Sequence, residues 1–384
     1  MKISTKAFTW REIVILQCRL CVRLFRYLRR WRTRSIASAK EQIESLPELS
    51  SQEKVDLFSR YCKDYYKYRA KIGEWYYSYL FPEISEAKKR EYLTQRDMGV
   101  MTEIKYNLLF PDQWQIMKKK QVFLDKYAPF VHRKWLYVDT DTEQKVVQDF
   151  LDRYEVIVKP TNRMSGQGVY KLSRGQSAEK VVSGELPVLV EQCVYNVPEL
   201  AEFHPSSLNT VRVTTVTNGV DVRVLGASLR TGNNNSVFDN ADAGGYFAEI
   251  DEKTGIIISD GISEKGAVVT AHPASGKVFR GTAIPLWDEV ISACVAASLH
   301  LQGTYLVAWD IAVTPNGIEF IEGNSLPSME VHQMPLHVGV RKKLYGIFDE
   351  LNMPYKDAVV LTRIISWMLH IQSLFTSLRK IEAQ

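Results

Sequence analysis

The sequence predicts an α+β protein, with a helical N-terminal region followed by a domain of mostly antiparallel strands. Three observations predict it. Residues from about 37 to 130 are rich in Glu, Lys and Tyr and poor in glycine. After about Trp135, short β-branched runs alternate with glycine and asparagine loops. The apolar runs Tyr305–Val313 and Ile318–Asn324 flank Thr314-Pro315-Asn316-Gly317, which is hairpin turn chemistry.

From Trp10 to Trp31, Ile13, Leu16, Leu20, Leu24, Tyr27, Leu28 and Trp31 fall near one helical face, with Arg19, Arg23, Arg26 and Arg30 forming another stripe. The run is too interrupted to span a membrane. Its basic residues are too widely distributed for a signal peptide. Residues 1–36 are therefore expected to form a basic amphipathic helix, suited to an anionic membrane surface through residues 10–34 or to packing on protein. Residues 37–134 are expected to form a helical accessory domain, with the tyrosines between Tyr61 and Tyr79 as its core stripe. The strand-rich domain is placed at 135–350. Its expected elements are Val156–Val158, Val188–Val190, Thr210–Val216, Val222–Leu229 and a helix over Trp287–Leu301. A C-terminal amphipathic helix is expected within 351–384.

At 384 residues, the chain is too long for one simple core, and 45% apolar with 24% charged residues describes a folded protein. Five cysteines without regular spacing argue against a disulfide framework and for a reducing, cytoplasmic setting. Cys18-x-x-Cys21 has no second pair to complete a metal site. The net charge of +5 hides an asymmetry: residues through Arg34 hold ten basic residues and one acid, leaving the remainder at about −4. That balance argues against nucleic acid as a partner of the main body.

Within the hairpin, Asp310 ends an apolar run, and Glu322 and Asn324 lie two apart on one side of their strand. Three oxygen donors converging from one hairpin suit a hard cation such as Mg2+ carrying phosphate oxygens, although solvated acids on an edge hairpin would look the same. Upstream, Val156-Ile157-Val158-Lys159 leads into a small, polar loop containing Ser165, Gly166 and Gly168. Backbone N–H groups of such a loop can cradle phosphate, with Lys159 adding fixed charge, although a Gly-x-Gly hairpin turn fits as well. The run Leu189-Val190-Glu191-Gln192-Cys193 could hold an adenine edge through backbone groups, and Glu191 or Glu199 could take ribose hydroxyls. Arg212 and Arg230 lie on expected strands, where a buried cation needs an anionic partner: a transferred phosphoryl group, a substrate carboxylate or a cross-strand acid.

This order of parts resembles the ATP-grasp superfamily, with a strand lysine, a glycine loop, a hinge glutamate, and late Asp, Glu and Asn. In D-alanine–D-alanine ligases, an aspartate is followed about a dozen residues later by Glu-x-Asn, as Asp310 is by Glu322-Gly323-Asn324. Lys159 and, less closely, Lys120 match the family's two ATP lysines. His204-Pro205, Asn209-Thr210-x-Arg212, Asp239-Asn240-x-x-x-Gly244-Gly245 and His272-Pro273 look like the branch associated with bacterial polysaccharide and sugar-transfer loci. The Asn-x-x-x-Gly-Gly element is also similar to α-L-glutamate ligases that modify a ribosomal protein.

The resemblance implies an ATP-grasp fold of two α+β subdomains gripping ATP, with ATP and Mg2+ as cofactors. Lys120, Lys159, Ser165, Gly166, Gly168, Glu191, Gln192, Cys193 and Glu199 would bind nucleotide; Asp310, Glu322 and Asn324 would bind metal. Arg212 and Arg230 would act on the transferred group. Candidate substrate residues are His204, Asn209, Asn240, Gly244, Gly245 and His272, joined by His332, with satisfied structural roles as the alternative for the histidines. The implied activity is an ATP-dependent ligase joining a small or sugar-linked carboxylate to an amine through an acylphosphate, in cell-surface polysaccharide biosynthesis. A phosphotransferase with a hydroxyl acceptor, or a non-catalytic nucleotide-binding protein at the inner membrane, would use the same nucleotide site.

Overall fold

The computed structural model describes residues 34–104, 114–163, 167–233, 245–301, 303 and 305–353. The expected N-terminal basic helix and C-terminal helix fall almost wholly outside the described residues. The chain divides into two compact units, Met1–Pro111 with Phe348–Gln384, and Asp112–Ile347.

The first unit is helical. Its longest described helix, Ser51–Tyr68, starts at a capping box in which the Ser50 side chain accepts from the Glu53 N–H and the Glu53 carboxylate returns to the Ser50 N–H. Tyr61 packs on Tyr65 and Trp75, and Tyr79 on Phe81 and Tyr92, all buried, so these tyrosines are core. The Trp75 indole N–H donates to Asp64, which also pairs with Lys89, leaving that buried acid satisfied.

The second unit starts at Asp112, upstream of the 134/135 boundary expected from texture. Helices Trp114–Lys118 and Lys120–Lys126 carry Ile116, Phe123 and Leu124 into the same core as Trp309 and Phe320. Sequence texture reports helix content, whereas domain membership follows shared core.

Among the described residues, eleven strands form two wholly antiparallel sheets. The smaller has the order β1-β4-β2-β3, from β1 (Trp135–Val138), β2 (Val156–Pro160), β3 (Tyr170–Leu172) and β4 (Val188–Gln192). Val156, Val158, Val188 and Val190 turn inward onto helices Gln144–Leu151 and Glu179–Val182, which leaves Ile157 and Lys159 on the opposite face of β2.

The larger sheet runs β11-β10-β5-β6-β7-β8-β9. Its strands are β5 (Thr210–Thr217), β6 (Val222–Thr231), β7 (Tyr246–Ile250), β8 (Gly261–Ser263), β9 (Val268–Val269), β10 (Leu306–Thr314) and β11 (Gly317–Asn324). Val211, Val213, Ala227, Leu229, Val307, Trp309 and Ile311 share a core with Val290, Cys294 and Ala297 of helix Trp287–His300. Alternation sends Arg212, Thr214, Ser228, Arg230 and Asp310 to the other face. The predicted hairpin forms, with Thr314 paired to Gly317 across a two-residue turn and Gly317 at φ 107°.

Candidate active site

A register shift in this hairpin builds the first half of the site. Asp310 pairs with Glu322 but Ile311 pairs with Phe320, so Ile321 is an extra residue in β11. Without the bulge, Phe320 and Glu322 would share a face; with it, Phe320 stays in the core while Glu322 joins Asp310. Gly323 keeps this arrangement possible. A Cβ there would lie 2.9 Å from Met117 Sδ and 3.0 Å from both Phe123 and Trp309.

Asp310 is buried and accepts from Arg212 through both oxygens, Nε–Oδ1 and Nη2–Oδ2, each at 2.6 Å. Arg230 Nη1 adds a third contact at 2.8 Å. Burial opposes the charge on Asp310, but the two guanidiniums hold its carboxyl down at about 2. Glu322 behaves oppositely: burial, then the negative charge of Asp310, push its carboxyl up. The Asn324 amide donates to Glu322 Oε1 at 3.0 Å and to Asp310 Oδ2 at 3.4 Å. Two carboxylates sharing a single amide donor form an oxygen-rich set, in which Asp310 is already balanced by two guanidiniums. Among the described residues no group of three or more His, Cys, Asp or Glu could hold a metal ion; this set has two acids and an amide.

The second half comes from the smaller sheet. Lys159 Nζ lies 2.9 Å from Glu191 Oε1, and Arg133 Nε lies 2.6 Å from Glu191 Oε2. Burial raises the Glu191 carboxyl, but these cations bring it down to about 2. Both oxygens are therefore committed to cations, and the carboxylate orients Lys159. Lys120 Nζ donates to the carbonyls of Pro160 (3.2 Å) and Arg163 (2.9 Å), where β2 enters the glycine loop. Burial lowers its pKa, Glu322 and Glu191 raise it, and Lys159 lowers it further. Lys120 thus feels both Glu322 of the hairpin and the Lys159–Glu191 pair of the smaller sheet. Gly168 has φ 73°, and a Cβ there would sit 3.1 Å from Pro160 Cγ.

Sequence reasoning missed Arg133. It also contacts Glu319 Oε1 (2.5 Å), the Phe320 carbonyl (2.6 Å) and the Ile321 carbonyl (3.1 Å), thereby joining the bulge to Glu191. Its partners Glu191 and Glu319 lie 58 and 186 residues away, so no local pattern marks it.

The remaining candidates are distributed as follows. The Gln192 side chain accepts from the Lys134 N–H, and the Cys193 N–H donates to the Glu155 carbonyl. Burial raises the Cys193 thiol to about 11. Glu199 is exposed on the short helix Pro198–Ala201. Asn209 is fully buried, donating to the carbonyls of Leu200 and His204. His204 bonds Ser207 and lies against His272, which bonds the Gly232 carbonyl; these are satisfied structural contacts. Gly245 is buried immediately before β7. Ser165, Gly166, Asn240 and Gly244 lie outside the described residues.

Residues 172–348, which hold Glu191, Arg212, Arg230, Asp310, Glu322 and Asn324, match the family model of sugar-transfer associated ATP-grasp proteins. The ATP-grasp recognition and the α+β fold class expected from the sequence are thus borne out. Lys120, Lys159 and Gly168 lie upstream of the matched segment. Among solved structures, the chain is similar to D-alanine–D-alanine ligase from Bacillus anthracis, at 14% identity over 67% of this chain and 70% of that chain, TM-score 0.34. It is also similar to D-alanyl-alanine synthetase A from Vibrio cholerae (13%, 65% and 71%, TM-score 0.41) and to the ATP-grasp ligase PsnB (15%, 66% and 60%, TM-score 0.39). No curated protein matches the chain.

Proposed function

We propose that the unit Asp112–Ile347 is an ATP-dependent, ADP-forming carboxylate–amine ligase that works through an acylphosphate. One observation carries this reading: Asp310, Glu322 and Asn324 lie with Arg212 and Arg230 on one sheet face, and Glu322 is coupled electrostatically to Lys120 of helix Lys120–Lys126, which in turn feels Lys159 of the smaller sheet. In this reading Lys120 and Lys159 hold the ATP phosphates, beside backbone N–H groups of the glycine loop. Asp310, Glu322 and the Asn324 amide oxygen would hold Mg2+, which when bound supplies charge neutralisation across the phosphate oxygens. Arg212 and Arg230 bind the γ-phosphoryl group and stay with it as it moves, kept in place by Asp310.

A substrate carboxylate oxygen attacks the γ-phosphorus, the bond to the β–γ bridging oxygen breaks, and ADP leaves. The amine nitrogen then attacks the acyl carbon, the bond to the phosphate oxygen breaks, and an amide and inorganic phosphate are released. Positioning and charge stabilisation supply most of the rate in such a scheme, which suits a site with few groups placed for proton transfer. The sugar-transfer associated family match supports an acid or amine belonging to a cell-surface polysaccharide. Residues 10–34 would bring the enzyme to an anionic membrane surface. Among the described residues no helix is long and apolar enough to cross a membrane.

Screening the twenty amino acids and the uronic acids D-glucuronate and D-galacturonate for ADP release, with hydroxylamine as trap, tests the reading. A ligase gives ADP and a hydroxamate only with its own acid present. Stable transfer of labelled γ-phosphate to a hydroxyl would replace the reading with a kinase, and normal turnover in Glu322→Ala or Lys159→Ala would overturn the site.

A further inference from the structure

One row of side chains crosses five adjacent strands of the larger sheet. Glu322 on β11 pairs with Asp310 on β10, Asp310 with Arg212 on β5, Arg212 with Ser228 on β6, and Ser228 with Glu249 on β7. Directly paired residues share a face, so the row runs from the proposed metal and phosphate end to a serine and a glutamate that this chemistry does not use.

The far end of the row is incompletely satisfied. Ser228 is fully buried, and its Oγ has no hydrogen-bond partner among the described residues. The Glu249 side chain is 12% exposed. Its Oε2 faces His332 Nδ1 at 3.5 Å, while its Oε1 has no partner among the described residues. His332 is held from behind, with Nε2 2.8 Å from Thr214 Oγ1, and its ring lies over Gly226, where a Cβ would meet Nδ1 at 2.8 Å. Buried polar groups in folded proteins are almost always paired. The buried open hydroxyl of Ser228, with the partly exposed Glu249 carboxylate paired beside it across the strands, is complementary to a ligand that donates N–H bonds. Burial, opposed by His332, raises the Glu249 carboxyl, as befits a group able to accept a proton.

The spacing also suits such a ligand. Strands lie about 4.8 Å apart, which puts Glu249 roughly 10 Å along the row from Arg212. With the γ-phosphoryl group on Arg212, the acyl carbon lies one bond beyond its bridging oxygen. An attacking nitrogen stands about 3 Å from that carbon, a separation that the roughly 10 Å between Arg212 and Glu249 accommodates.

We propose that Glu249 and Ser228 form the subsite for the primary amine acceptor, with His332 positioning Glu249. This rests on the ligase reading. The acceptor arrives as an ammonium ion, donating N–H bonds to Glu249 Oε1 and Ser228 Oγ. One ammonium proton passes to the Glu249 carboxylate, freeing the nitrogen lone pair. The C–N bond then forms as the bond from acyl carbon to phosphate oxygen breaks, the second proton leaves with the phosphate, and Glu249 returns its proton to water.

Two probe nucleophiles test the subsite with the full chain and the acid that gives a hydroxamate in the screen above. Methylamine is an ammonium ion at neutral pH and needs a proton acceptor; hydroxylamine is uncharged there and does not. Glu249→Gln should lower methylamine-dependent kcat/KM by about 10²-fold or more, and hydroxylamine capture far less, so the ratio of the two rates shifts. Ser228→Ala, a milder change, should shift that ratio the same way by a smaller factor. A parallel fall in both rates would assign Glu249 a structural role and overturn the subsite. An unchanged ratio in both variants would do the same while leaving the ligase reading intact. A wild-type chain giving no hydroxamate with any acid would defeat the ligase reading itself, and the subsite with it.

Discussion

Replacing Arg133 by methionine removes a cation without opening a large void, and the cost follows from what it leaves behind. The Arg133 side chain is 4% exposed, as is that of Glu191, and Glu319 is 6% exposed. Glu191 would keep Lys159, but Glu319 would keep only the backbone N–H groups of His132 and Arg133. The Phe320 and Ile321 carbonyls at the bulge would each lose a donor. Removing one partner from a buried ion pair costs about 3–5 kcal/mol, chiefly because the other charge stays buried. For a unit of this size that lowers Tm by roughly 6–20 °C. Adding Glu319→Met removes the stranded charge, so the double variant should be more stable than Arg133→Met alone. Thermal unfolding followed by circular dichroism reads both numbers, and ATP titration should show weaker binding in the single variant as Glu191 and Lys159 lose their anchor. A single-variant cost below about 1 kcal/mol, or a double variant less stable than the single, would refute the reasoning.

Three further outcomes are expected. Gly323→Ala places a methyl against Met117, Phe123 and Trp309, costing about 1–3 kcal/mol by overpacking in a denaturant titration. Glu191 has its carboxyl lowered from 4.5 to about 2; a depressed folded pKa gives stability that is present above the unfolded value and lost as pH falls towards about 2. Acid titration of Glu191→Gln should therefore show a shallower loss between those limits than wild type, and identical slopes would contradict the ion-pair assignment. The full chain should co-sediment with anionic vesicles at low salt, whereas a chain starting at Ala37 should not, and equal binding by the two would remove the membrane role of residues 10–34.

The strands were legible because β-branched runs bounded by glycine, asparagine and proline have few alternatives, and β2, β4, β5, β6 and the β10–β11 hairpin all form where those runs lie. The oxygen donors of the hairpin were legible for a related reason: Asp310 interrupts an apolar strand that is buried along almost its whole length. The Ile321 bulge was not legible, because a one-residue shift depends on the opposing strand and on Phe320 finding the Trp309 core. The assignment of Trp114–Lys126 to the second unit was equally hidden, since a helix states that it has an apolar face but not which core receives it.

By itself, the sequence determined the α+β class, the hairpin, and the order of lysine, glycine loop and late Asp, Glu and Asn, all of which are local or ordinal properties of the chain. Only the tertiary structure decided that Asp310 is clasped by two arginines, that Glu191 is spent on Arg133 and Lys159, and that Ser228 and Glu249 continue the row begun by Glu322 and Asp310. The physical reason is distance along the chain. Asp310 lies 98 and 80 residues from Arg212 and Arg230, and Glu191 lies 58 from Arg133, so only the folded sheets and the segments beside them bring these partners together.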